Sequence, residues 1–165
     1  MTRFLPVAFV ALTALLTLGS TASAATPEAH LKAAKAHMGE CCIEAAKATK
    51  GCCGKDAEAI QAKHADYQLT KKAQAAVMDE THECCAQAIK DGSACCGKDA
   101  EGVQLAHAKK VLKTKAAMMV SSEMHGCCAK AVGAHEGCCG RDATALKADY
   151  DGKVAAKAKT LVLAY

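Results

Sequence analysis

The chain carries twelve cysteines as six adjacent pairs, and the pairs recur in register. "GCCGKDA" at 51–57 returns as "ACCGKDA" at 94–100 and as "GCCGRDA" at 137–143, and nine residues separate each of these pairs from an earlier one. Cys41, Cys42, Cys52 and Cys53 are therefore matched 43 residues later by Cys84, Cys85, Cys95 and Cys96, and again by Cys127, Cys128, Cys138 and Cys139. A fixed period of this length marks one supersecondary unit used repeatedly. Thiolates bind soft metal ions and attack disulfides. Four of them in each unit point to a metal site, to disulfide staples or to thiol redox chemistry.

The neighbours of the pairs bear on that choice. A histidine precedes each first pair: His37 in "HMGECC", His82 in "THECC" and His125 in "MHGCC". On an unbroken helix, His37 faces Cys41 at i+4, while His82 and His125 face Cys85 and Cys128 at i+3. Met38, Met78 and Met124 stand four residues before Cys42, His82 and Cys128, and Met118 and Met119 lie a little upstream. Thiolate, thioether and imidazole together suit Cu(I), and zinc accepts the Cys and His members. The candidate ligands are thus the twelve cysteines with His82 and His125. Methionines at helical spacing also serve as core filling, the reading favoured for Met118 and Met119. His30 and His135 read as solvated, and His64 and His107, matched by Tyr150 in the third unit, read as packing positions.

Disulfides offer the competing account. Nested bridges such as Cys41–Cys53 and Cys42–Cys52 would staple each hairpin, by somewhat under ~3 kcal/mol for a loop of about ten residues. A weaker alternative is a thiol redox buffer. The C-C-x9-C-C spacing departs from the C-x2-C pairs common in zinc sites. C-x-x-C-H, a Gly-rich phosphate loop, a nucleophile elbow and H-E-x-x-H are all missing from the sequence, so no catalytic residue is assigned and the expectation is a binding protein rather than an enzyme. In outline, the Cys-rich, helix-prone and exported character resembles the copper-storage proteins, helical bundles that line their core with thiolates. That resemblance implies Cu(I) as cargo. Their cysteines follow C-x-x-x-C along one helix face, whereas these are adjacent pairs, so no individual residue is carried over and no membership is claimed.

The elements that must hold the cysteines are helical. The stretch from 56 to 90 contains neither proline nor glycine and is rich in Ala, Lys, Gln and Glu, a strong helix composition. From Asp99 onward, Leu105, Leu112 and Met119 recur at intervals of seven with Ala108 and Ala116 between them, an apolar stripe for helix packing. Asp56, Asp99 and Asp142 follow Gly-Lys or Gly-Arg and open alanine-rich runs, the position of a helix N-cap. The spacing predicts helices over 27–50, 56–90, 99–132 and from 142 onward, with hairpin tips near 41–56, 84–99 and 127–142. The expected fold class is all-α: an antiparallel bundle of long helices built from three 43-residue Cys-rich helical-hairpin repeats. The first and third cysteine clusters then lie at one end and the second at the other. A break of the long helices near 66–70, giving stacked short hairpins, is the alternative.

The N-terminus sets the compartment. Arg3, an apolar run to Leu18 and Ala22-Ser23-Ala24 read as a signal peptide over 1–24, leaving a single domain at 25–165 in the periplasm or outside the cell. Loss of Arg3 lowers the formal charge from +4 to +3. Lysines are interleaved with acids and aromatics make up 3% of the chain, so no nucleic-acid surface is expected. No membrane association is expected after cleavage, and the expected partners are soft metal ions, Cu(I) first and zinc second, bound for buffering or sequestration.

Overall fold

Each of the three later long helices starts at an aspartate. In the computed structural model, which describes residues 25–165, the side chains of Asp56, Asp99 and Asp142 accept hydrogen bonds from the amides of Ala59, Gly102 and Ala145 at 2.8, 2.8 and 2.7 Å. These caps satisfy amides that the helix itself leaves unpaired. The expected signal peptide lies outside the described residues.

Among the described residues the helices are α1 (Pro27–Ala33), α2 (Glu40–Lys47), α3 (Ala57–Asp79), α4 (Glu83–Asp91), α5 (Ala100–Glu123), α6 (Gly126–Ala134) and α7 (Ala143–Leu163). No strand is present among the described residues, and none of their helices is long and apolar enough to cross a membrane. The all-α bundle is as expected, with one correction: the helices predicted over 27–50, 56–90 and 99–132 are each divided just before the first cysteine pair. His82 turns to extended backbone at φ −53°, ψ 139°, and Met124 and His125 do so at ψ 153° and 135°. Residues 35–39 are likewise non-helical. No proline or glycine forces the break at 80–82. Tertiary demand overrides helix propensity there, because the pair must turn back toward the second pair. The alternative break near 66–70 does not occur, since α3 runs through it.

α5 is the hub of the bundle and packs on α1, α3 and α7. Lys115 pairs with Asp66 and Lys110 with Glu80, so α5 and α3 are antiparallel. Val154 packs with Val120, and Val162 with Leu112, so α7 is antiparallel to α5 as well. The expected stripe is present but shifted. Ala108, Leu112 and Ala116 are buried together with Val111, Lys115 and Val120, whereas Leu105 and Met119 are half-buried. Contacts on three sides widen the buried arc beyond one heptad line.

The short helices α2, α4 and α6 fold back on α3, α5 and α7 respectively. Each ends in a left-handed residue, Thr49, Gly92 or His135, at φ 53°, 65° and 58°. The following amides, of Lys50, Ser93 and Glu136, donate to the carbonyls of Ala45, Ala88 and Ala131 at 2.9, 3.0 and 2.9 Å. This is a Schellman closure. Side-chain amides of the long helices join the hairpins: Gln61 donates to the Ala46 carbonyl, and Gln104 to that of Ile89.

One charge sits inside the bundle. Lys115 is 2% exposed and its Nζ lies 2.6 Å from Asp66 Oδ1. Removing the carboxylate leaves a buried ammonium unpaired, which costs more than replacing the lysine with an apolar side chain of similar length. Asp66→Ala is therefore expected to lower stability by about 2 kcal/mol, with Lys115→Met much milder, as measured by urea unfolding. Equal loss from both variants would contradict this.

Candidate metal centre

Both cysteine pairs of each unit occupy special backbone. Cys41 and Cys42 are the second and third residues of α2, and Cys84–Cys85 and Cys127–Cys128 hold the same places in α4 and α6. The first pair is thus in the first turn of a short helix, not in the last turns of a long one as expected. Amides in that turn have no intrahelical acceptor and carry the positive end of the helix dipole.

The second pair sits in a tight turn. Cys52 N–H donates to the Lys55 carbonyl at 2.9 Å and Lys55 N–H returns the bond at 3.0 Å. The corresponding exchanges join Cys95 to Lys98 and Cys138 to Arg141. Both central residues are left-handed: Cys53, Cys96 and Cys139 at φ 54°, 53° and 55°, then Gly54, Gly97 and Gly140 at 74°, 74° and 76°. Two positive φ values in a row define a type I′ turn. Glycine adopts that conformation freely; for cysteine it costs about 1–2 kcal/mol.

The two pieces bring four sulfurs together in each unit, all within 4.8 Å of one another. Five of the six Sγ···Sγ separations in each cluster are 4.0 Å or less, and the sixth, between Cys41 and Cys52 or their counterparts, lies within the 4.8 Å limit. In the first cluster these five run from 3.4 Å (Cys52–Cys53) to 3.9 Å (Cys41–Cys42 and Cys41–Cys53). In the second they run from 3.3 Å (Cys95–Cys96) to 4.0 Å (Cys84–Cys96), and in the third from 3.5 Å (Cys128–Cys138 and Cys138–Cys139) to 4.0 Å (Cys127–Cys128). A tetrahedral ion with metal–sulfur bonds of about 2.3 Å holds its sulfurs about 3.8 Å apart. A disulfide needs about 2.0 Å, and all twelve cysteines are free. Nor are the sulfurs arranged as two pairs: Cys42 is as near to Cys53 (3.7 Å) as to Cys52 (3.6 Å).

The converging sets contain the twelve predicted cysteines and no imidazole. His82 and His125 are exposed residues at the N-caps of α4 and α6, and His37 lies in the non-helical stretch before α2. The helical register that placed them one turn from a cysteine is therefore broken. The methionines pack instead: Met38 is buried with Cys42, Ala46 and Ile60, Met124 lies against Cys128 and Leu146, and Met118 lies against the central core.

Crowding splits the thiols of each set. Cys53 is held below the ordinary thiol range because Cys52, then Cys42 and Cys41, hydrogen-bond to it. Cys52 is pushed up to about 12, first by its bond to Cys53 and then by that to Cys42. Cys96 is lowered by Cys95 and Cys85, and Cys95 is raised by Cys96 and Cys85. In the third set Cys127 is lowered, chiefly by Cys138, and Cys138 is raised, chiefly by Cys128. Four sulfurs this close share protons readily but resist carrying several negative charges unless a cation sits between them.

Two features were missed in the sequence: the interruption before each first pair, and the left-handed cysteine. The second had a signal, since Cys-Gly closed by a basic residue recurs three times and glycine is the residue that a I′ turn demands. The first had Gly39 and Gly126 as signals in the outer units and none in the middle one. No protein-family model, curated protein or solved structure matches the chain, so the chemistry of the site is read from its own residues.

The split of the thiols can be measured on reduced, metal-free protein. Followed by ultraviolet thiolate absorbance, ionisation should begin with Cys53, Cys96 and Cys127, on the low side of an ordinary thiol, and end with Cys52, Cys95 and Cys138, far on its high side. One steep step of all twelve thiols at the ordinary value would contradict the crowding.

Proposed function

We propose that this is an exported metal-buffering or sequestering protein that holds one soft metal ion in each of its three four-cysteine clusters. The observation that carries this reading is the convergence of four sulfurs within 4.8 Å of one another, repeated in three places. An ion at the centre of each set removes the repulsion that otherwise keeps its thiols protonated, so binding releases protons and weakens as pH falls. Part of each site is exposed, with Cys41, Cys53 and their counterparts at the surface, which suits uptake and release. Zinc is the ion we favour, because four converging thiolates with no imidazole in the set match its preference for an all-cysteine site. Cu(I), expected from the neighbouring methionines and histidines, is the second reading; thiolates alone also suit it.

Structural stapling by disulfides is the other reading of the same cysteines. Cys41–Cys53 and Cys42–Cys52 at 3.9 and 3.6 Å are the pairs that would close. Cys42 lies as near to Cys53 as to Cys52, so the sulfurs do not sort into two partners, which favours a central ion over two bridges. The bundle core of Ala73, Ala108, Val111 and Leu112 includes no cysteine, so the long helices have packing of their own.

Intact-mass measurement on protein purified anaerobically from the periplasm tests the assignment. Three zinc ions per chain are expected, with twelve free thiols after metal removal. Serine at Cys84, Cys85, Cys95 and Cys96 should lower the capacity by one third, because distant sites act independently. Loss of all metal from that variant would mean one shared cluster. A mass deficit of two hydrogens per cysteine pair, with no metal bound, would return the cysteines to the disulfide reading.

A further inference from the structure

The three sites share one plan but not one surrounding. In the 43-residue register, Met38 corresponds to Thr81 and Met124, and Ile60 to Val103 and Leu146. The large members of these sets cover the second cysteine of their cluster. Met38 and Ile60 pack with Cys42, and Met124 and Leu146 with Cys128, leaving the two cysteines 8% and 6% exposed. In the middle unit both covering residues are smaller. Thr81 also turns its hydroxyl away, donating it to the Val77 carbonyl at 2.5 Å. Cys85 is only half-buried.

Side chains lost from a packed site leave space that neighbours fill only in part. Here the space is a cavity of about 290 Å³ whose wall includes Cys85, Cys95 and Cys96 together with Thr81 and Val103. Three further cavities touch no cysteine. His107 and Lys98 also line the wall, and the buried Nδ1 of His107 has no hydrogen-bond partner. The cavity thus offers a polar atom and a cation beside three of the four sulfurs, with room for a small molecule.

We propose that the middle cluster is the exchange site of the protein, where a small thiol enters the cavity beside Thr81 and takes the metal ion from Cys85, Cys95 and Cys96 or delivers it to them. The inference rests on the metal reading above. The first and third clusters, covered by Met38 and Met124, are the retaining sites. In the exchange step the entering thiol loses its proton and its sulfur bonds to the ion. One cysteine–metal bond breaks, and the released cysteine thiolate takes up a proton. Charge balances and no electron is transferred, so no oxidant or reductant is needed. Soft-ligand access is the variable that the surrounding shell controls.

The test uses the full mature chain loaded with zinc, with mercaptoacetate as the entering thiol and a chromogenic chelator to report release. Bound zinc is counted first: fewer than three ions per chain would overturn the metal reading, and the inference with it. With three bound, one third should leave at least about ten-fold faster than the rest, at a rate that rises with mercaptoacetate concentration. Thr81→Met with Val103→Ile should bring that third down to the slow rate while three ions stay bound. Met38→Thr with Ile60→Val, which opens the first site instead of filling the second, should raise the fast fraction to two thirds. Release of all three ions at one rate would overturn the exchange assignment without touching the metal reading. A fast third that survives Thr81→Met with Val103→Ile would overturn it as well.

Discussion

Two adjacent residues on a helix diverge by about 100°, so a pair of neighbouring cysteines does not by itself aim two sulfurs at one point. Everything distinctive about the fold answers that constraint. The first pair is placed in the opening turn of a helix, where the chain has just turned from extended to helical backbone. The second is placed in a I′ turn, where a left-handed cysteine swings its sulfur back toward its neighbour. Only with both pieces do four sulfurs meet within 4.8 Å. The short helices α2, α4 and α6, the breaks before them and the aspartate caps after them are the supports of that meeting.

The cost of the arrangement is local. Each unit holds one cysteine at positive φ, and the first and third also place Thr49 and His135 there. Backbone in that region persists where its surroundings fix it: the paired bonds of the turn, the Schellman bond of the preceding helix and the aspartate cap of the next helix all lie within a few residues. The main bundle is built on other residues, chiefly the buried valines, leucine and alanines of α5 against α1, α3 and α7. At about 1.5 Å per residue, the 23 residues of α3 set the first and second clusters roughly 35 Å apart. The antiparallel course of α5 returns the third to the end that holds the first. Clusters so separated share a scaffold but could not share one ion.

Much of this was legible in the sequence. The period of 43 residues, the all-helical class, the aspartate caps, the grouping of the cysteines and their distribution between the two ends of the bundle all follow from residue types and spacing. The helix ends nearest the sites did not. "MDETHECC" contains neither glycine nor proline and favours helix locally, and its break at His82 is dictated by where Cys84 and Cys85 must go. The placement of His82 and His125 on a cysteine face assumed that continuous helix; both stand at N-caps instead, His82 on the wall of the cavity that Cys85, Cys95 and Cys96 line. The differences among the units were in plain view as Met38, Thr81 and Met124. Their meaning needed the packing around Cys42, Cys85 and Cys128, which no local pattern encodes.

Function then rests on whether each set acts as a single four-thiolate site. X-ray absorption at the metal edge of the fully loaded protein addresses that question directly, because it counts and identifies the atoms bound to the ion. The account predicts four sulfur neighbours at about 2.3 Å, with neither nitrogen nor oxygen in the first shell and no second metal close by. A nitrogen neighbour would put His82 and His125 back among the ligands, and a metal–metal distance would mean clusters of ions in place of single ones. Either result would contradict it.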